Sequence, residues 1–438
     1  MKLNKNKLHF IRVTILLVGF IFSVNPAYSA KAGLDDNIKS PSSSTPFFDM
    51  YLKAYGGEMF NYNSYDVTSP LAGITAWFKL YFNKDRAKYQ YVTYKVNGEK
   101  LFTNVSKTIN TLDSITNRLK VRFGSRNGDL HTGINVSYDW VIKPSWPDLY
   151  QPNPRVYTAG SNQQISYDST DRYSYHKLGV DYTWARPIKN NRSLYWNAGI
   201  FRKFGYEDPN YDLAVPTRLA PDVYTGIKGR IGVKDTDDQR PVGREFSNTI
   251  EFRYYDSKLA RDAVTGFTNY LSNPNPNYML INDKTVYMLE FRIPKSSMTI
   301  KPYGVLELNI DPYAHYYSFV GGKVGFILNQ KIFAEKVEYK VKASFEYQQF
   351  GASAYGTSAT HPPLTDGTYL YKMYVDAGLE INYMFSQSFE YFIEGGLSIK
   401  RTNYPSYVPG VNPVSGRNYD IDFSFNNYSV RSGFTYRL

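Results

Sequence analysis

The chain contains no cysteine among its 438 residues. That excludes disulfides, thiolate catalysis, cysteine-held metals and lipid attachment at an N-terminal cysteine. Histidine is scarce as well. Beyond the N-terminal segment only His131, His176, His315 and His361 remain, and none is spaced from another histidine as metal ligands are. His361 opens a His-Pro-Pro element that reads as loop. No metal and no cofactor is therefore expected. Long apolar runs are missing too. The one candidate, Val13 to Phe22, is about half of the roughly 20 residues that a spanning helix needs.

That short run has a different explanation. Lys2, Lys5, Lys7 and Arg12 precede it, and Ala27-Tyr28-Ser29 puts small residues where a signal peptidase requires them. Cleavage is expected after Ser29, with residues 1–29 a signal peptide and 30–49 a polar periplasmic linker containing Ser40-Pro41-Ser42-Ser43-Ser44-Thr45-Pro46. This leader is too short for a folded N-terminal plug. Removing the four basic residues lowers the net charge from +12 to +8, so a basic bias stays with the remainder.

What is abundant is aromatic: 42 Tyr and 27 Phe, in a chain whose mean hydropathy is only -0.45. Period two organises these residues. Ile134, Val136, Tyr138 and Trp140 alternate with Asn135, Ser137 and Asp139, and Val341, Ala343, Phe345 and Tyr347 alternate with Lys340, Lys342, Ser344 and Glu346. Such alternation excludes helix and describes strands with one apolar and one polar face. Candidate strands fall near 50–60, 71–82, 88–96, 116–124, 131–141, 173–184, 194–204, 223–233, 246–255, 285–293, 300–310, 316–328, 337–349, 373–384, 389–400 and 428–438. Sixteen strands is the expectation, or fourteen if 50–60 and 88–96 are not strands. Short and long links alternate, as hairpin turns on one side and loops on the other would; 234–245 is long for a turn and 311–315 short for a loop. The long links are rich in Pro, Asn, Tyr and Gly, as in Lys143 to Pro154 and Asn273 to Tyr278.

The final strand carries the most specific signal. Tyr428, Val430, Phe434, Tyr436 and Leu438 share one parity up to the terminal carboxylate, opposite Arg431, Gly433, Thr435 and Arg437. This pattern, with the strand period and link alternation, resembles the outer-membrane β-barrel proteins of Gram-negative-type bacteria, and the chain is similar in size to porins. The resemblance is architectural and covers residues 50–438. It implies an all-β, transmembrane antiparallel barrel in the bacterial outer membrane, with short periplasmic turns and long extracellular loops. Val430, Phe434, Tyr436 and Leu438 would be its insertion signal. It further implies contact with outer-membrane lipid and lipopolysaccharide, with the barrel assembly machinery and with small polar solutes. A homo-oligomer or an envelope-complex partner is also open.

In a barrel the polar parity faces the lumen. The basic residues expected there include Lys79, Lys120, Arg122, Lys228, Arg230, Arg253, Arg292, Lys340, Lys342 and Arg431. The acidic ones include Asp139, Asp181, Glu251, Glu290, Glu346, Glu390 and Glu394. Positive charge in excess would concentrate anions, so neutralising Lys228, Arg230, Lys340 and Lys342 should reduce an anion preference. Glu390 and Glu394, four apart on one face, are read as satisfied wall charges, with a cation site or pairing with Lys400 and its neighbours as the alternatives. Nucleic acid is not an expected partner, because secretion and parity assign the basic runs to the lumen. No catalytic set is legible, and the chain is not expected to be an enzyme. His131 and His176 could start adjacent strands, but sequence places no serine nucleophile beside them. Two functions fit: a passive porin-like channel, or a non-conducting barrel that serves as a platform for a surface, secretion or motility complex.

Overall fold

A computed structural model describes residues 47–62, 67–85, 87–101, 114–142, 155–156, 165–166, 175–189, 191–205, 224–235, 240–255, 278–294, 296–310, 318–350, 371–402 and 425–438. The leader and much of the long links, including His315, His361 and the Pro-rich segments, lie outside the described residues.

The strands are β1 (Phe48–Tyr62), β2 (Val67–Lys84), β3 (Lys88–Leu101), β4 (Ser114–Asn127), β5 (Leu130–Ile142), β6 (Arg155–Val156), β7 (Ile165–Ser166), β8 (Tyr175–Ile188), β9 (Arg192–Gly205), β10 (Tyr224–Asp235), β11 (Val242–Tyr255), β12 (Tyr278–Arg292), β13 (Thr299–Ile310), β14 (Phe319–Ile332), β15 (Val337–Phe350), β16 (Tyr371–Met384), β17 (Phe389–Thr402) and β18 (Phe425–Arg437). All but β6 and β7, a two-stranded pair in the link between β5 and β8, form one closed antiparallel barrel of sixteen strands. Each barrel strand matches one expected from alternation, and the alternative of fourteen falls because β1 and β3 are both full wall strands. The long turn expected at 234–245 is a correction: β10 and β11 run further than the alternation suggested and leave only 236–241.

Closure is made by the ends of the chain. Tyr51 to Tyr62 of β1 pair with Arg437 to Asn426 of β18. Beyond that ladder, Leu438 and Met50 exchange backbone hydrogen bonds of 2.9 and 3.2 Å. The seam is tight. A Cβ at Gly433 would lie 1.9 Å from the Ala54 carbonyl oxygen, and one at Gly57 1.9 Å from that of Val430, so only glycine lets the two backbones meet. One rim of the barrel carries short turns. The link between β4 and β5 is only residues 128–129, with Gly128 at φ 58°, the glycine-first geometry that suits a two-residue hairpin. The other rim carries the long links.

The two faces of the wall differ as parity demands. Ile74, Leu119, Ile134, Ile200, Ile227, Leu306 and Val324 are exposed, and they share the parity of Trp140, Tyr182, Trp196, Phe345, Tyr347, Phe434 and Tyr436. The opposite parity makes contacts that skip a strand. Arg122 on β4 reaches Thr183 on β8 across β5, Lys53 on β1 reaches Glu394 on β17 across β18, and Lys323 on β14 reaches Asp376 on β16 across β15. Only the concave side of a closed sheet brings such positions together, so this face is inward. The apolar face is the outward one, and water would not tolerate so continuous an exposed apolar belt. A closed barrel leaves no unpaired edge for hydrocarbon to meet. The chain is a membrane-spanning antiparallel β-barrel.

The outward parity is not wholly apolar. Asn248 on β11 donates from Nδ2 to Asp283 Oδ1 at 2.6 Å and to Thr285 Oγ1 at 3.0 Å on β12, all on the parity of Phe246, Ile250 and Tyr287. The amide satisfies a carboxylate that the apolar surroundings would otherwise penalise. Sequence patterning gave no signal of it, because β12 was expected to begin at 285.

Candidate functional site

The inward face is the candidate site. Its charges stand on alternate residues of neighbouring strands, so strand register decides which meet. On β10 and β11, Lys228 pairs with Glu251 at 3.8 Å, Arg253 with Glu251 at 2.5 Å, and Arg230 with Glu245 at 3.5 Å. Glu290 on β12 takes Lys301 at 3.0 Å and Arg292 at 3.6 Å. Lys323 bridges Glu346 at 3.2 Å and Asp376 at 3.8 Å, and Lys340 meets Glu380 at 3.8 Å. Arg431 lies 3.0 Å from Glu99 and 3.9 Å from Glu394, while Lys53 approaches Glu394 at 3.3 Å.

These partners redistribute the expected charge. Of the four cations thought to supply anion preference, Lys228, Arg230 and Lys340 each have a carboxylate, and Lys342 faces Gly378 and Ile327 across its two ladders. Glu390 and Glu394 share the inward face but not a site. Arg437 holds Glu390 at 3.0 Å, and Lys53 and Arg431 flank Glu394. Both are thus satisfied wall charges, and the alternative of pairing with Lys400 does not hold: Lys400 sits near the loop rim with its ammonium 5.9 Å from the Tyr374 ring. The ends of β17 toward which these groups lie are opposite.

The interior between β3 and β8 is packed. Arg122 is only 1% exposed and gives hydrogen bonds to Asn135 Oδ1 at 3.0 Å, Thr183 Oγ1 at 3.1 Å and Tyr89 OH at 3.4 Å. Asp181 accepts from Asn135 at 2.5 Å and from Asn197 at 3.0 Å. Beside this cluster Lys79 stands 4.8 Å from the Tyr81 ring and 4.4 Å from that of Tyr91, rings that cluster with the buried Tyr89. Lys120 faces Thr93 and Ser137 across its two ladders.

Sequence reading assigned the aromatics chiefly to the outside, and here it missed a set. Tyr55, Tyr89, Tyr195, Phe201 and Tyr303 face inward, and each lies directly opposite a glycine of the next strand: Gly73, Gly124, Gly232, Gly226 and Gly325. The rings fill the places of the missing side chains, since a Cβ at Gly73 would stand 2.2 Å from the Tyr55 ring. A tyrosine on the polar parity was the available signal, but its glycine partner becomes visible only through register.

The two described histidines do not meet. His131 is paired with Ala185 near the turn rim, whereas His176 is paired with Trp140 near the loop rim, where its Nδ1 lies 2.5 Å from Tyr138 OH. The terminal positions Val430, Phe434 and Tyr436 share the outward parity of β18, with Phe389 stacked on Phe434 at 5.3 Å.

No protein-family model matches the chain, and no curated protein matches it. Solved structures do align. CdiB from Acinetobacter baumannii gives a TM-score of 0.46 at 8% identity over 90% of this chain, which spans 60% of that one. OccAB4 of the same organism gives 0.44 at 8% identity over 90% of this chain and 99% of its own. OmpT of Vibrio cholerae gives 0.40 at 12% identity over 89% and 97%.

Proposed function

We propose that the barrel is an outer-membrane channel for passive diffusion of small polar solutes, with a preference for anions, and that its loop rim faces outside the cell. The carrying observation is the inward face itself. Sixteen strands enclose a lumen of the size that leaves an aqueous path in porins, and that lumen is lined with ionised rows such as Lys95, Arg118, Lys177 and Lys203. Charged side chains in such numbers require water or counter-charge, and counter-charge is not evenly supplied. A basic excess raises the local concentration of anions. On the same reading, Val430, Phe434, Tyr436 and Leu438 serve as the strand recognised for insertion by the barrel assembly machinery, and no chemistry is catalysed.

Recording from purified, folded protein in planar bilayers tests this. Stepwise conductance with reversal potentials shifted toward the chloride potential is the expected result. Absence of conductance from folded barrel defeats the channel, and cation-favouring reversal potentials defeat the preference alone. One observation favours the platform reading instead: the packed interior around Arg122, where polar side chains fill the space from β3 to β8. If that packing closes the lumen, a non-conducting barrel should co-purify with a stable envelope partner from native membrane.

A further inference from the structure

Across the wall, rather than along a strand, the inward positions form rows. One row runs from Lys95 on β3 to Arg118 on β4, Asp139 on β5, Lys177 on β8 and Lys203 on β9, each directly opposite the next. It lies near the loop rim, since Asp139 is three residues from the end of β5, Lys177 two from the start of β8 and Lys203 two from the end of β9.

Two like-charged pairs, Lys95 with Arg118 and Lys177 with Lys203, therefore stand in register, an arrangement that destabilises a sheet when nothing compensates it. The one anion of the row does not compensate both. Arg118 holds Asp139 at both oxygens, Nε to Oδ1 at 2.6 Å and Nη2 to Oδ2 at 2.9 Å. Among the described residues, neither Lys95 nor Lys177 has a carboxylate within 4.0 Å of its ammonium. Below the row, Glu251 is taken by Arg253 and Lys228.

Aromatic rings frame the row. Lys177 Nζ lies 3.7 Å from the Phe201 ring centre, and Lys203 Nζ lies 4.7 Å from that of Tyr175 and 5.5 Å from that of Tyr224. Trp77 stands opposite Lys95 at the other end. Rings of this kind steady an ammonium without neutralising it.

We propose that this row is a binding site for an elongated solute carrying two anionic groups, carboxylate or phosphate, one at Lys95 and Arg118 and the other at Lys177 and Lys203. With neighbouring strands about 4.8 Å apart, the centres of the two pairs are three strands, or about 14 Å, apart at backbone level. Asp139 stands between them and repels a single anion placed midway, so two separated groups fit better than one. The aromatic frame suits an apolar spacer. The site rests on the channel reading only for the route by which solute arrives.

Calorimetric titration of the full barrel in detergent at low salt tests the site without requiring current. The probes are suberate, a dicarboxylate with a six-carbon spacer, inorganic tripolyphosphate, and acetate as the monovalent reference. Suberate or tripolyphosphate should bind at least about tenfold more tightly than acetate, and whichever binds better names the source of the anion. Lys95→Gln and Lys177→Gln should each weaken that binding about tenfold, whereas Lys340→Gln should not, all with the heat-modifiable gel migration of folded barrel. No binding, equal binding of acetate, or wild-type affinity in both row variants overturns the site. Binding without bilayer conductance retains the site and removes the channel; conductance without binding does the reverse.

Discussion

Two rows of the same inward face make opposite use of similar residues. Near the loop rim, Lys95, Arg118, Asp139, Lys177 and Lys203 place four cations against one carboxylate. On the far wall, Lys340, Glu380, Glu394 and Arg431 stand in one row from β15 to β18 and balance. There the two adjacent glutamates are enclosed by cations on both sides, with Lys53 added above Glu394 and Glu99 meeting Arg431 from β3. The difference teaches that lumen charge in a barrel is a property of register. A count of basic and acidic residues on the inward parity finds both rows, but cannot tell a neutralised row from one in which, among the described residues, Lys95 and Lys177 have no carboxylate within reach.

The largest effect should come from breaking the seam across which the neutral row continues to Gly57. Gly433→Val puts a side chain where a Cβ alone would stand 1.9 Å from the Ala54 carbonyl. Backbone contact of that kind cannot be relieved by a rotamer change, so β1 and β18 should separate. Loss of the heat-modifiable band on refolding is the expected readout, and a folded barrel would show that the seam has more room than its geometry allows.

A smaller effect of definite sign should follow from Lys340→Gln. The change leaves Glu380 beside Glu394 with less counter-charge, and it should cost about 1–2 kcal/mol in urea unfolding from lipid, between the values for exposed and buried pairs. The smallest effect has the opposite sign. Lys95→Gln removes one member of a like-charged pair and should leave stability unchanged or raise it by up to about 1 kcal/mol. If both substitutions destabilise equally, the two rows do not differ as their registers imply.

Much of the wall was legible because a strand's period is two and a membrane rejects polar side chains on one side. Trp140, Phe345 and Phe434 could be placed outward from parity alone, and the inward placement of Lys228 or Glu346 followed. The candidate row was less legible. Lys95 lies in one of the weaker alternations, and Lys177 precedes the apolar positions that defined its strand, so neither stood out among the basic residues. The outward Asp283 was hidden for a related reason. The alternation of β12 falters there, because Asn248 supplies locally, at 2.6 Å, the polar partner that the lipid cannot.

The sequence by itself determined a membrane-spanning barrel: alternating strands, a terminal strand of one apolar parity and links of two lengths are local features, each readable within a dozen residues. Which charges neutralise one another was decided only by the tertiary structure. Glu394 finds Lys53 341 residues away, and Tyr55 covers Gly73 across a hairpin. Parity gives the face of a residue, but its neighbours depend on the stagger between strands, and a shift of one ladder step would give every cation in the lumen a different partner.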